Sequence, residues 1–285
     1  MRNALTVLFA LIIGMISLQA NNFSPAKKGL PMDIVLPEQL EIRWYGLAYL
    51  LGFLVSYNLL KYWSKKNLLK IPEKEVSNFI LIIALFGVFL GGRLGYCLLY
   101  DFDYFYQNKA SFFEIWKGGM SSHGGFIGVI IVMLWYAKKH SVSFWNLSDH
   151  LAASACLGIA FGRIANFING ELWGRVTTVK WAVIFPQSNS LDPRHPSQLY
   201  QALCEGFLVF FLLLMIRKTS WGKQSGVISC CFLLFYAIAR IAIEFLREPD
   251  NLTYFEWVTK GQLYSIFMII SAGIIIYKKK LFIMR

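Results

Sequence analysis

LAASACLGIAFGRIANFINGELWGR, residues 151–175, opens as chain that lipid would accept and closes as chain that it would not. Its first eleven residues are apolar or small. The next fourteen, GRIANFINGELWGR, carry two arginines, one glutamate and the asparagines Asn166 and Asn169. The apolar lead-in reads as a membrane helix, and Arg163 falls inside it. A charge at such a depth costs roughly 2.5–3.5 kcal/mol on insertion scales. Arg163 therefore needs a partner or a purpose.

The rest of the chain decides what solvent it meets. Hydrophobic residues make up 56% of the 285, charged residues only 15%, and mean hydropathy is +0.51. A soluble domain carries about 25% charged residues. Runs near the ~20 apolar residues that cross a bilayer recur at about 44–63, 77–100, 123–137, 150–168, 198–216, 225–246 and 261–277. They predict an all-α fold, a polytopic membrane bundle of seven transmembrane helices. An eighth run, 4–20, follows Arg2 and ends in SLQA. It reads as either a cleaved signal peptide or an extra N-terminal helix, Leu18 being a poor residue for the minus-three position. Residues 21–285 then form a single domain, with no internal repeat, low-complexity tract or soluble module.

A net charge of +12 first suggests nucleic acid. The basic residues lie in short loops beside apolar runs, however, and no basic stripe crosses a polar surface, so no nucleic-acid partner is expected. Loops 61–75, 138–149 and 217–224 and the tail 278–285 are rich in Lys and Arg and hold only three acids. Segments 21–43, 101–122, 169–197 and 247–260 hold eleven of the sixteen acids. By the positive-inside rule the first set is cytoplasmic, which places Asp33, Trp173, His195 and Glu248 outside and the C-terminus inside. The outer segments are long enough to form a small cap. Trp44, Tyr45, Tyr96, Tyr100, Trp135, Tyr136, Tyr254 and Trp257 mark the interfaces, as an aromatic belt does. Cys97, Cys156, Cys204, Cys230 and Cys231 sit in or beside apolar runs without a CxxC pair, which supports neither disulfides nor a metal site, and nothing calls for a cofactor.

Six ionisable groups fall within the spans: Arg93, His123, Arg163, Glu205, Arg240 and Glu244. With orientation assigned, all lie in the outer halves of their helices, and one polar pocket facing the outer leaflet would collect them. Arg240, Glu244 and Arg247, at i, i+4 and i+7, share a helix face; Arg163, Asn166 and Gly170 share another. Two readings stand. Arg163 with Glu171 and Arg240 with Glu244 could be ion pairs that fix packing. Alternatively the excess of arginine forms a cationic site for a phosphate, whose oxygens match the guanidinium fork. Gly91, Gly92, Gly124, Gly125, Gly158 and Gly162 suit close helix approach, though Gly124 and Gly125 could instead offer amides to an anion. His123 is either structural or a proton-transfer group, and His195 poses the same choice. His140 and His150 fall on the cytoplasmic side. Ser121 and Ser122 lack the elbow of a serine hydrolase.

These residues also carry a resemblance. Gly162 to Gly174 matches the G-R-x-x-N-F-x-N-x-E-x-x-G signature of bacterial phosphatidylglycerol–prolipoprotein diacylglyceryl transferases. IRWYGLAYLLGF (42–53), GVFLGGRLGY (87–96), GGMSSHGGFIG (118–128), RHPSQLYQALCEG (194–206) and RIAIEFLREPD (240–250) resemble the family in the same order. The resemblance implies a seven-helix enzyme of the bacterial inner membrane, with its active site toward the outer leaflet. It implies transfer of the diacylglyceryl group of phosphatidylglycerol to the lipobox cysteine of a preprolipoprotein, giving a thioether and glycerol 1-phosphate. The partners it implies are phosphatidylglycerol, preprolipoprotein signal peptides and membrane lipids. The family's critical residues fall on Tyr45, His123, Arg163, Asn166, Glu171, Gly174, Arg240, Glu244 and Arg247, and Asn169 stands at a signature position. Arg163 and Arg240 would clamp the headgroup, Asn166 and Glu171 would orient Arg163, and His123 would take the thiol proton. Residues 1–20 precede the family's usual start, and the outer loop 176–194 is short. The competing class is a transporter or flippase of an anionic lipid or solute, which would show paired inverted repeats; none is visible.

Overall fold

The computed structural model describes residues 44–100, 102–113, 119–188, 190–248 and 258–282. The run 4–20 and Asp33 lie outside them. Among the described residues every extended element is a helix, and pairing between chain segments is confined to isolated bridges. We number the helices α1 (Trp44–Lys65), α2 (Glu73–Leu99), α3 (Phe102–Gln107), α4 (Ser122–Lys139), α5 (Phe144–Ile168), α6 (Ser197–Arg217), α7 (Val227–Glu244) and α8 (Lys260–Lys279). Apart from the short α3, they overlap the seven expected runs, with ends that differ by up to six residues. Five of them, α2, α5, α6, α7 and α8, are long and apolar enough to cross a membrane. α1 is diluted by Trp, Tyr, Ser and Asn, and α4 has 18 residues that include three glycines and the closing pair Lys138–Lys139.

The described chain clusters into two compact units. The first comprises the residues up to Phe53 and Leu60–Leu147; the second comprises Leu54–Leu59 and the chain from Ser148 onward. In the first unit α1 ends where Asn67 adopts a left-handed conformation, φ +55, a role that Asn accepts more readily than most residues. Lys61 and Lys65 reach Glu73 at 3.3 and 3.6 Å across the turn into α2. α2 is continuous but contains a π-helical stretch, Ile83–Leu90. Its glycines at 87, 91 and 95 face Gly124 and Gly128 of α4. A Cβ on Gly124 would lie 2.3 Å from the Gly91 carbonyl oxygen, and one on Gly95 would lie 2.5 Å from the Gly124 Cα. In lipid no hydrophobic force draws helices together, so such backbone contact is the main attraction.

That geometry decides between the readings of these glycines. The Gly124 amide donates to the Ser121 hydroxyl, which caps α4, and the Gly125 amide to the Ser121 carbonyl. Both amides are used inside the helix. Gly162, in contrast, has nothing within 4 Å of a Cβ position. The expected packing role falls instead to Gly206, where a Cβ would meet that of Ala160 at 2.5 Å.

Arg93 is bonded within the first unit. It is 4% exposed and donates to the carbonyls of Ser111, Phe112 and Gly119 at 2.6, 2.9 and 3.0 Å, with its guanidinium 5.0 Å from the Phe105 ring. It ties the α2–α4 connection down.

α5 begins at Phe144, six residues before the expected 150, and the second unit takes it up from Ser148. Asp149 is therefore helical rather than in a loop. Its carboxylate accepts from the Gly226 amide at 2.7 Å and from the Ser229 amide and hydroxyl at 2.8 and 2.7 Å. This carboxylate from a neighbouring helix thus satisfies amides that the first turn of α7 leaves without helical acceptors. Gly226, at φ +102, supplies the left-handed entry to that helix. α8 starts with a capping box, in which the Thr259 side chain accepts from the Gln262 amide and the Gln262 side chain accepts from Thr259.

Candidate active site

The signature stretch proves to be a helix end folded back on itself. α5 stops because Gly170 turns left-handed, φ +65, and the next amides return to the last turn: Asn169 to Ala165, Gly170 to Phe167 and Glu171 to Asn166. Asn166 is 3% exposed beneath this turn. The Asn169 amide donates to the Glu171 carboxylate at 3.0 Å. The carboxylate that Arg163 reaches is Glu205 of α6, 3.4 Å away, rather than the expected Glu171.

Glu205 is fully buried. One of its oxygens takes Arg163; the other accepts from the Gln201 side chain at 3.1 Å and faces Arg240 at 3.7 Å. Arg240 also pairs with Glu244 at 3.0 Å, and Arg247 reaches the same carboxylate at 3.9 Å. The result is a chain of alternating sign, Arg163–Glu205–Arg240–Glu244–Arg247. Tyr236, one turn before Arg240, adjoins Arg163. Residues 236, 240 and 244 form one stripe of α7 by their i+4 spacing. Arg247 lies beyond the end of α7, so it is not the third member of that stripe that its spacing predicts.

Gly174 brings Arg247 back. These two residues form an isolated antiparallel bridge, and the Gly174 amide donates to the His195 carbonyl at 2.9 Å. A Cβ on Gly174 would sit 2.6 Å from the His195 carbonyl oxygen and 2.7 Å from that of Leu246. Only glycine fits this crossing of three segments. Around it, Arg194 pairs with Glu248, Trp173 donates to Glu248 at 3.2 Å, and Arg175 donates to the Arg247 carbonyl at 3.1 Å. These contacts make the described residues of segment 169–196 a compact cap held by isolated bridges. His195 belongs to it: its backbone pairs with Gly174 and Arg175, and its ring lies 3.3 Å from the Tyr200 hydroxyl.

His123 and Tyr45 belong to the first unit. His123 is the second residue of α4, half-buried, with Nδ1 3.4 Å from the Tyr100 hydroxyl. Tyr45 is half-buried in the first turn of α1. Sequence reasoning left several site residues unassigned. Glu205 stood out as a charge in a span but received no role. Gln198 and Gln201 are fully buried two turns and one turn before it on α6. Gly261, where a Cβ would lie 2.8 Å from Arg240 Nη2 and 2.9 Å from Glu244 Oε1, lets α8 begin against the ion pair. The T-x-x-Q capping pattern at 259–262 was a readable signal for that start.

The chain holds three guanidiniums and two carboxylates, and guanidinium forks match the oxygens of a phosphodiester. Buried ion pairs add little net stability once desolvation is counted, so a network this long is poorly explained by folding alone. Among the described residues no three His, Cys, Asp or Glu side chains gather as a metal site requires.

Comparison with known proteins bears on the same residues. The family model for prolipoprotein diacylglyceryl transferase matches residues 31–278, a span that holds the whole cluster. The phosphatidylglycerol–prolipoprotein diacylglyceryl transferase of Aeromonas hydrophila subsp. hydrophila is 45% identical over 247 residues, which cover 84% of this chain and 86% of that protein. The Pasteurella multocida protein of the same name is 46% identical over 237 residues, 82% and 86% of the two chains. That of Allorhizobium ampelinum is 46% identical over 239 residues, 80% and 82%. A match of this length, with the signature arginine inside it, establishes that the chain belongs to the prolipoprotein diacylglyceryl transferase family.

Proposed function

We propose that this chain transfers the sn-1,2-diacylglyceryl group of phosphatidylglycerol to the lipobox cysteine of preprolipoproteins, the first step of lipoprotein maturation. The relatives' shared name supports both substrates. The observation that carries the reading is the alternating chain of Arg163, Glu205, Arg240, Glu244 and Arg247, three guanidiniums and two carboxylates built on the signature.

The chemistry accounts for the residues present. The cysteine sulfur of the substrate attacks the glyceryl carbon that bears the phosphate ester. A carbon–sulfur bond forms and the carbon–oxygen bond breaks, its electron pair leaving with glycerol 1-phosphate. The nucleophile arrives with the substrate, so the enzyme supplies neither a Cys nor a Ser. A second negative charge develops on the departing phosphate, and fixed guanidinium groups stabilise such charge best. Arg163 and Arg240 act as the clamp. Asn166, Asn169, Glu171, Gly174, Glu244 and Arg247 shape and hold the headgroup site. His123 takes the thiol proton, and Tyr45 is a further catalytic residue by its position in the family pattern. Residues 21–285 work as one catalytic domain in the bacterial cytoplasmic membrane, with the C-terminus inside and the cluster at the outer leaflet, as the loop charges indicate. The transporter reading lacks the repeats it requires, and the family match favours the transferase.

Purified protein incubated with labelled phosphatidylglycerol and a lipobox peptide tests this directly. Thioether-linked peptide is the expected product, and Arg240→Ala is expected to lower its rate by about 10²–10³-fold, the usual cost of losing one charge-stabilising donor. Absence of product from the parent protein, with Arg240→Ala indistinguishable from it, would sink the proposal.

A further inference from the structure

Glu205 has no part in the chemistry just described, yet it is the most enclosed charge among the described residues of the second unit. It is fully buried, and its two oxygens are divided between the arginines that serve as the clamp: Oε2 lies 3.4 Å from Arg163, and Oε1 lies 3.7 Å from Arg240. Gln201, one turn earlier on α6 and equally buried, donates to Oε1 at 3.1 Å. That bond fixes the amide orientation of Gln201 as well, since a carboxylate can only accept. The close approach of Gly206 to Ala160 seats α6 against α5 one residue further on. Position, rotamer and hydrogen bonding of this carboxylate are thus all determined by its surroundings.

Two guanidiniums aimed at one phosphate repel each other before the phosphate arrives. Something must hold them together in the free enzyme without occupying the face that the ligand needs. A buried carboxylate behind them does both. It also limits how tightly they hold an anion: with Glu205 charged the five-residue chain carries +1, and without it +2. Excess positive charge favours the bound anion, including the product that has to leave.

Resting on the transferase reading, we propose that Glu205 is a positioning residue for Arg163 and Arg240, an internal counter-ion that sets both their spacing and the strength with which they hold phosphate. It touches no reacting atom. A carboxylate that served only to pack α6 would affect the amount of folded protein but not anion affinity.

The test compares the parent enzyme with Glu205→Gln and Glu205→Asp in detergent or vesicles, measuring turnover, KM for phosphatidylglycerol and inhibition by glycerol 1-phosphate. Glu205→Gln keeps the shape and removes the charge. It is expected to lower the inhibition constant of glycerol 1-phosphate about tenfold, as an unbalanced guanidinium close by would, while kcat falls by a similar factor and KM does not rise. Glu205→Asp keeps the charge and is expected to return the inhibition constant to within about threefold of the parent, although its shorter reach leaves kcat low. If Glu205→Gln does not accumulate, Gln201→Met, which removes the bond holding Oε1, is expected to shift inhibition in the same direction by about two- to threefold. Unchanged inhibition and unchanged KM in the charge-removing variant, or in Gln201→Met where that variant is lost, overturn the inference even if turnover falls. A parent protein that forms no thioether overturns instead the transferase reading beneath it.

Discussion

A guanidinium held in an apolar helix must find acceptors, and Arg93 and Arg163 find different kinds. Arg93 uses three backbone carbonyls and keeps a structural post; Arg163 meets a carboxylate and keeps company with further charges. Lysine cannot reproduce the forked geometry at either place. Arg93→Lys is therefore expected to lower the thermal stability of the folded protein, by about 2–3 kcal/mol for the bonds it cannot remake, in a denaturation series. Arg163→Lys is expected to keep the fold and lose at least about tenfold in kcat/KM for phosphatidylglycerol. His123→Gln separates the two readings of that residue. A general base contributes about 10²–10⁴-fold, so turnover within a few-fold of the parent would remove it from that role. Both arginines were visible in the sequence for one reason, a charge inside an apolar run. What divides them was not visible, because carbonyl acceptors belong to the fold and leave no trace in residue type. Glu205 carried the same signal, but its partners lie on two other helices. Gln198 and Gln201 gave none, being neutral and set just before a π-helical stretch, Ala202–Leu208, that disturbs the helical period.

At the level of whole helices, existence and order were legible and boundaries less so. Apolar runs report where a helix can lie in lipid, and the seven long helices among the described residues fall on them. Asp149 shows why the ends drift. A carboxylate near the start of α5 suggests solvent, whereas this one turns inward to cap α7. Asp149→Ala is expected to cost about 1–2 kcal/mol or more, as the loss of a helix cap does, read by thermal unfolding. Glycine roles were equally hidden, because sequence shows the small residue but not what faces it. Gly95→Ala places a methyl 2.5 Å from backbone and is expected to prevent recovery of folded protein. Gly162→Ala meets open space and is expected to accumulate normally, with about 0.5–1 kcal/mol of added helix stability. Equal yields from the two variants would contradict the packing described for α2 and α4.

For the molecule as a whole the outstanding expectation is its direction in the membrane, which rests on loop charge. The native cysteines are buried or half-buried, so single cysteines can be placed on a quiet background. Asp192→Cys in the cap is expected to react with a membrane-impermeant maleimide on intact spheroplasts, and Lys218→Cys only after permeabilisation. The opposite pattern would invert the orientation and remove the outer-leaflet site. The glycine stripe of α2 and α4 also affects how a genome-wide survey of inactivating variants would be understood. Gly87, Gly91, Gly95, Gly124 and Gly128 each admit one residue type for reasons of space alone. Screened by survival, they would score as intolerant as Arg163 or Arg240 and trace a period-four line resembling a second catalytic centre. Protein abundance measured alongside survival would separate them: variants lost at the stripe disappear from the membrane, whereas those lost at the arginines remain there, folded and idle.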